Sequence, residues 1–213
     1  AKRTKARILQ ASTSEVYGKG YRVPFAEDDD VLLGSTKRNR WAYAASKMID
    51  EFLGFAYHQE YELEVVCFRL FNTVGPRQTG QYGMVIPRFI SQALAGEPIS
   101  VHGDGRQSRC FTDVRDVIRA LQLLVTLPAA PGQLYNIGGG EEVSMLELAR
   151  RIKTLTGSAS PIQLVPYSDA YGPGFEDMQR RVPDAGKILR DAGWHTTYSL
   201  DDTLRHILEH RRA

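Results

Sequence analysis

Only two cysteines, Cys67 and Cys110, occur in 213 residues, and neither belongs to a metal-type pair. A disulfide framework and a zinc site are therefore excluded as organising devices, and no metal is expected. A reducing cytoplasm is the expected location. No run approaches the roughly 18 apolar residues of a membrane span. The basic start, Ala1-Lys2-Arg3-Thr4-Lys5, is not followed by an apolar stretch of signal-peptide length. Charge of one sign is also lacking, because 27 Lys and Arg stand against 25 Asp and Glu spread along the chain. Neither a nucleic acid nor a membrane surface is an expected partner. An initiator Met is missing too, which points to a longer parent chain. What is present is 42% hydrophobic residues, enough to fill a core and too many for a disordered chain.

Apolar periodicity alternates strands and helices without an internal repeat, which predicts an α/β fold. Residues 6–12 read as a buried strand and residues 41–61 as a long helix, with Met48, Ile49, Phe52, Leu53 and Ala56 at helical spacing. The β-branched run 63–70 reads as a parallel strand buried on both faces. Helices are predicted over 85–94 and 114–127, with short strands at 99–102 and 107–112. A strand at 134–137 precedes a helix that Ser144 caps, Glu147 standing at the capping-box position. A strand at 162–165, a long loop over 166–183 and two helices, 184–192 and 200–211, complete the chain.

A dinucleotide-binding sheet opens with a strand, a Gly-rich turn and a helix facing pyrophosphate, with an acid about 20 residues later. No such unit is found. Gly103-Asp104-Gly105 lacks a third glycine and a helix, and Gly138-Gly139-Gly140 runs into Glu141-Glu142, which would repel phosphate. Both read as turn glycines.

Tyr43 and Lys47 form Y-x-x-x-K, four apart and on one helical face. An ammonium beside a phenol favours the phenolate, the form that accepts an alcohol proton. The spacing alone occurs by chance on many surface helices. Its neighbourhood adds weight: Thr13, Ser14 and Glu15 follow the first strand at its C-terminal end, where open parallel sheets bind ligands.

Ala11-Ser12-Thr13-Ser14-Glu15-Val16-Tyr17-Gly18, then Tyr43-Ala44-Ala45-Ser46-Lys47, then Arg69-Leu70-Phe71-Asn72-Thr73-Val74-Gly75-Pro76-Arg77 resemble the extended short-chain dehydrogenase/reductases that modify nucleotide sugars with tightly held NAD. The resemblance covers the C-terminal two thirds of that family, without the N-terminal half of the NAD domain. Within it, Arg40-Trp41-Ala42-Tyr43, Arg109-Cys110-Phe111-Thr112-Asp113-Val114-Arg115-Asp116 and Gln179-Arg180-Arg181-Val182-Pro183 are most similar to UDP-glucuronate decarboxylases.

The resemblance implies the C-terminal part of a Rossmann-type parallel sheet plus a smaller mixed α/β substrate-binding domain. Residues 1–75 and 114–127 would be the remainder of the NAD-binding domain, and residues 76–113 and 128–213 the nucleotide-sugar domain. It assigns catalysis to Thr13, Ser14, Glu15, Tyr43, Lys47 and Arg181, cofactor contacts to Ser12, Tyr43, Lys47 and Leu70, and UDP-sugar contacts to Asn72, His102, Arg109 and Arg181. NAD is the implied cofactor and decarboxylation of UDP-glucuronate the implied reaction. A UDP-sugar 4-epimerase, a 4,6-dehydratase and a non-catalytic fragment without a cofactor loop stay open. Arg88 and Arg180 read as solvated charges, and residues 81–85 as a loop offering backbone amides to the ligand. A homodimer is expected through the 41–61 helix, with Phe55, His58 and Gln59 on its outer face.

Overall fold

The computed structural model describes residues 4–80, 83–172 and 176–212; Gln81 and Tyr82 of the expected amide-donating loop lie outside them. In chain order the elements are β1 (Ile8–Thr13), α1 (Ala42–Tyr61), β2 (Val65–Leu70), β3 (Thr73–Val74), α2 (Val85–Ala95), β4 (Ile99–His102), β5 (Ser108–Cys110), β6 (Thr112–Asp113) and α3 (Val114–Thr126). They continue as β7 (Leu134–Ile137), β8 (Glu142–Ser144), α4 (Met145–Thr156), β9 (Ile162–Val165), α5 (Tyr167–Tyr171), β10 (Arg180–Arg181), α6 (Gly186–Ala192) and α7 (Leu200–Arg212).

The apolar run of β2 becomes the middle of a three-stranded parallel sheet, β1-β2-β7. Val65, Val66, Cys67, Phe68 and Arg69 are all buried, as a strand covered on both faces requires. Each fully buried aliphatic or aromatic side chain there contributes about 1.5–3 kcal/mol. Register sets Thr13 of β1 beside Leu70 of β2, and Leu70 beside Ile137 of β7, so the three C-terminal ends share one edge of the sheet. Just past β1, a single 3-10 turn over Ser14–Tyr17 is capped by the Thr13 hydroxyl, which accepts from the Glu15 amide at 3.3 Å. Gly18 ends that turn at φ +57°; a Cβ there would stand 2.2 Å from the Leu32 carbonyl oxygen, so only glycine fits.

The sequence division placed 128–213 wholly with the sugar-binding unit. In the structure β7 pairs with β2, and Tyr135, Ile137, Ile188 and Trp194 share one buried cluster with Val66, Phe68, Val117 and Leu124. Strand β7 and helix α6 therefore belong with the parallel sheet. A second cluster joins α2, β4, α4 and α7 through Phe89, Ile90, Val101, Leu148, Leu204 and others. Helix α4 starts as expected, the Ser144 hydroxyl accepting from the Glu147 amide at 3.2 Å. The stretch expected as one long loop contains α5 and β10. Strand β10 forms because β5 offers it an edge, Arg181 lying beside Arg109 in register, with β8 on the other side of β5.

Helix α1 is turned about its axis relative to the expectation. Glu51 is buried and receives the Arg69 guanidinium at 2.9 and 2.7 Å, together with the Ser12 hydroxyl. That contact draws the line Ala44, Met48, Glu51, Phe55 and His58 toward the sheet, and these residues are buried or half-buried. Ile49, Phe52 and Leu53 are 54%, 65% and 52% exposed, whereas Phe55 and His58, expected on the outer face, are half-buried against the sheet side.

Candidate functional site

A cavity of about 700 Å³ opens beyond the C-terminal ends of β1 and β2. One wall comes from the end of β1 and the turn after it (Thr13, Ser14, Glu15), the turn leading into α1 (Arg40), α1 itself (Tyr43) and β2 (Leu70). Asn72, Arg109 and Arg181 join them from the segments around β3, β5 and β10. A third group comes from α2, β4 and α5, namely Arg88, His102, Tyr167 and Tyr171. Of the residues expected in the site, Thr13, Ser14, Glu15, Tyr43, Leu70, Asn72, His102, Arg109 and Arg181 thus line one space.

Ser12 and Lys47 are placed differently. The Ser12 hydroxyl is buried and donates to Glu51, so it ties β1 to α1. The Lys47 ammonium donates to the Ala11 carbonyl and to Asp50, each at 3.0 Å, which anchors it beside the end of β1, one helical turn from Tyr43. Tyr43 is 54% exposed and its hydroxyl has no hydrogen-bond partner among the described residues. Its phenol is free to engage a bound molecule.

The centre of the cavity is an ion network. Glu15 accepts from Arg181 through one oxygen and is 2.5 Å from Arg40 through the other. Burial opposes ionisation of Glu15, but the Arg181 and Arg40 guanidiniums outweigh it and hold its carboxyl below the ordinary range. Glu15 is consequently an anion at neutral pH. Arg181 also donates to the Asn72 side-chain oxygen, while the Asn72 amide donates to the Cys110 carbonyl at 2.7 Å. Asn72 sits at φ +38°, a left-handed conformation that asparagine tolerates better than most residues. Arg109 is buried, and its Nη2 donates to both Asp177 carboxylate oxygens, at 3.0 and 3.1 Å. Burial and then the neighbouring Arg181 charge push Arg109 down to about 10, so it stays protonated.

Several participants escaped the sequence reading. Arg40 appeared there only as part of a signature before Tyr43, with no role. Asp177 lay inside the supposed loop. Arg88, read as solvated, is half-buried, whereas Arg180 fits its expectation by pairing at the surface with Glu142 at 2.8 Å. Among the described residues, no group of three or more His, Cys, Asp or Glu is arranged to hold a metal, and no helix is long and apolar enough to cross a membrane.

A model of the family described as GDP-mannose 4,6 dehydratase matches residues 1–207. The chain is 42% identical over 206 residues to a UDP-N-acetyl-alpha-D-glucosaminuronate decarboxylase of Bacillus cytotoxicus, covering 96% of this chain and 63% of that protein. It is 36% identical to UDP-glucuronic acid decarboxylase 1 of Danio rerio, covering 99% of this chain and 48% of that protein. The chain therefore spans between about half and two thirds of these relatives. Among solved structures, a UDP-glucuronic acid 4-epimerase from Bacillus cereus in complex with UDP-glucuronic acid and NAD superposes with TM-score 0.84 at 27% identity, covering 97% of this chain and 61% of that one. A dTDP-glucose 4,6-dehydratase from Bacillus anthracis in complex with NAD superposes with TM-score 0.83 at 27% identity and the same coverage.

Proposed function

The chain belongs to the GDP-mannose 4,6 dehydratase family of nucleotide-sugar enzymes, and on that premise we propose that it carries the sugar-nucleotide site and the acid–base pair of an NAD-dependent decarboxylase of UDP-hexuronates. The observation that carries this reading is the Arg40–Glu15–Arg181 cluster in one cavity with Tyr43, Thr13 and Ser14. The two guanidiniums exceed Glu15 by one positive charge, which a substrate carboxylate could match.

The residues fit NAD at its reacting end: Tyr43 and Leu70 line the cavity, and Lys47 is anchored beside it. When bound, NAD supplies the acceptor for the hydride of the sugar C4. Tyr43 takes the O4 proton, with Lys47 anchored one helical turn away and the Thr13 hydroxyl orienting O4. The resulting C4 ketone makes the C5 carboxylate a β-keto acid. Its C5–C6 bond then breaks, carbon dioxide leaves, and the electron pair passes into an enolate whose negative charge the Arg181 guanidinium stabilises. A proton taken up at C5 from water beside Arg181 completes the pentose ketone.

Arg181→Ala is expected to leave the first oxidation of substrate intact while slowing carbon dioxide release by about a hundredfold or more. Single-turnover measurement of both steps checks this; parallel loss of both would make Arg181 a binding residue only.

The 42% identity to a decarboxylase of an N-acetylated hexuronate adds a second substrate to test. A protein carrying this chain, supplied with NAD and either UDP-glucuronate or UDP-N-acetylglucosaminuronate, should yield a pentose or 4-keto pentose nucleotide by NMR. Formation of UDP-galacturonate would favour a 4-epimerase, the second reading that the Bacillus cereus structure supports. Absence of bound nucleotide in the purified protein would favour the non-catalytic reading.

The same proposal places a homodimer contact on the exposed stripe Ile49, Phe52, Leu53 and Ala56 of α1, since i, i+3, i+4 and i+7 form one apolar face. Phe52→Asp should halve the mass seen by light scattering, and an unchanged mass removes this face from the interface. The parallel-sheet residues would hold the cofactor and the remainder the nucleotide sugar. The buried thiols Cys67 and Cys110 suit a cytoplasmic enzyme.

A further inference from the structure

Arg88 has an environment that packing alone does not explain. It lies on α2, whose apolar residues Ile86, Phe89, Ile90 and Ala93 fill the core. Along the stripe facing β4, Gln92 exchanges two hydrogen bonds with Ser100, at 2.8 and 3.1 Å, and so caps the strand with neutral groups. Arg88 donates to the Ser100 carbonyl at 3.2 Å and to the Nε2 of His102 at 2.8 Å. The same guanidinium nitrogen is 3.4 Å from Nδ1 of His102, so it meets the ring beside both nitrogens. The Tyr171 hydroxyl lies 3.0 Å from Nδ1, and burial, followed by the Arg88 charge, lowers the His102 pKa and favours the neutral ring.

None of these partners carries negative charge. Arg40, Arg109 and Arg181 each pair with Glu15 or Asp177, but Arg88 has no carboxylate partner among the described residues. Its Nε is buried without a hydrogen-bond partner, and burial pushes its pKa below the usual arginine value. A half-buried cation without a counter-charge is costly. The strand cap could be served by another glutamine. The charge gains a purpose only from an anion in the cavity that Arg88 lines.

We infer that Arg88 is a second phosphate-binding arginine of this cavity, held in position by His102 and the Ser100 carbonyl, and that with Arg109 it grips the diphosphate of a nucleoside diphosphate. This rests on the nucleotide-sugar reading above and names a residue within it. The four cavity arginines outnumber Glu15 and Asp177 by two charges, which a ligand carrying two phosphates matches. His102 acts as a positioning residue: it accepts the Arg88 N–H and directs the fork without itself needing to touch the ligand.

Calorimetric titration of the whole chain with UDP and with uridine tests this without any need for turnover. Wild type should bind UDP more tightly than uridine. Arg88→Gln should weaken UDP by about 10- to 100-fold, the worth of one charge-assisted contact, and leave uridine affinity unchanged. Arg88→Lys should recover part of the UDP affinity, and both variants should keep the wild-type thermal midpoint within a few degrees. Unchanged UDP affinity in Arg88→Gln, or equal weakening of UDP and uridine, would overturn the inference while leaving the nucleotide-sugar reading intact. Failure of the wild type to bind UDP would defeat both.

Discussion

Tyr43→Phe, in a protein that carries this chain with NAD, is expected to lower turnover by at least about a hundredfold while leaving UDP affinity and stability near wild type. The loss follows from removing the group proposed to take the O4 proton, since a positioned general base contributes typically 10²–10⁴-fold. Stability should change by no more than about 0.5 kcal/mol, because the hydroxyl is exposed and has no partner among the described residues to be left unpaired. Stopped-flow turnover together with a thermal melt checks both halves. Retained activity would remove Tyr43 from the chemistry, and a large stability loss would make it structural.

The largest expected stability effect lies away from the cavity, at Glu51. Its side chain and that of Arg69 are each only 6% exposed, and they meet at 2.7 Å. The Arg69 guanidinium also lies 4.4 Å from the centre of the Tyr17 ring and donates to the Glu27 carbonyl at 3.3 Å. Glu51→Ala strips the carboxylate and strands a buried positive charge, with an expected loss of about 3–5 kcal/mol. That approaches the whole stability of many domains. Glu51→Met combined with Arg69→Met removes both charges and should recover most of the loss. Urea denaturation midpoints compare the three proteins; a single-variant loss below about 1 kcal/mol would show that water reaches the pair.

Glu51 also marks where the sequence stopped being legible. Strand and helix types were readable wherever periodicity was strong: β2 as a doubly buried run, α4 through its Ser144 cap, and α3 and α7 as helices. The rotation of α1 was not readable, because a glutamate in a helix normally signals solvent, and only the partner on β2 turns it inward. The apolar residues Ile49, Phe52 and Leu53 then fall outside, although their spacing alone is that of a core stripe. Strand β10 was equally hidden, since two residues form a strand only when β5 supplies the edge.

The site shows the same division. Thr13, Ser14, Glu15, Tyr43 and Arg181, singled out by motif, line one cavity, because those motifs lie at the strand ends and the helix start that border it. Asp177 and Arg88 were not legible, since a charge in a loop or on a helix looks solvated until the fold closes over it. Ser12 was legible as a member of a motif but not as a donor to Glu51, a contact that exists only once α1 lies across β1.

The central claim is that oxidation at C4 is what permits loss of the carboxylate. UDP-4-deoxyglucuronate labelled with carbon-13 in its carboxyl group tests this most directly, because it presents the same nucleotide and carboxylate without the hydroxyl that Tyr43 would deprotonate. In the presence of NAD it should bind in competition with UDP-glucuronate and release no labelled carbon dioxide, while labelled UDP-glucuronate releases it under the same conditions. Labelled carbon dioxide from the deoxy compound would contradict the account.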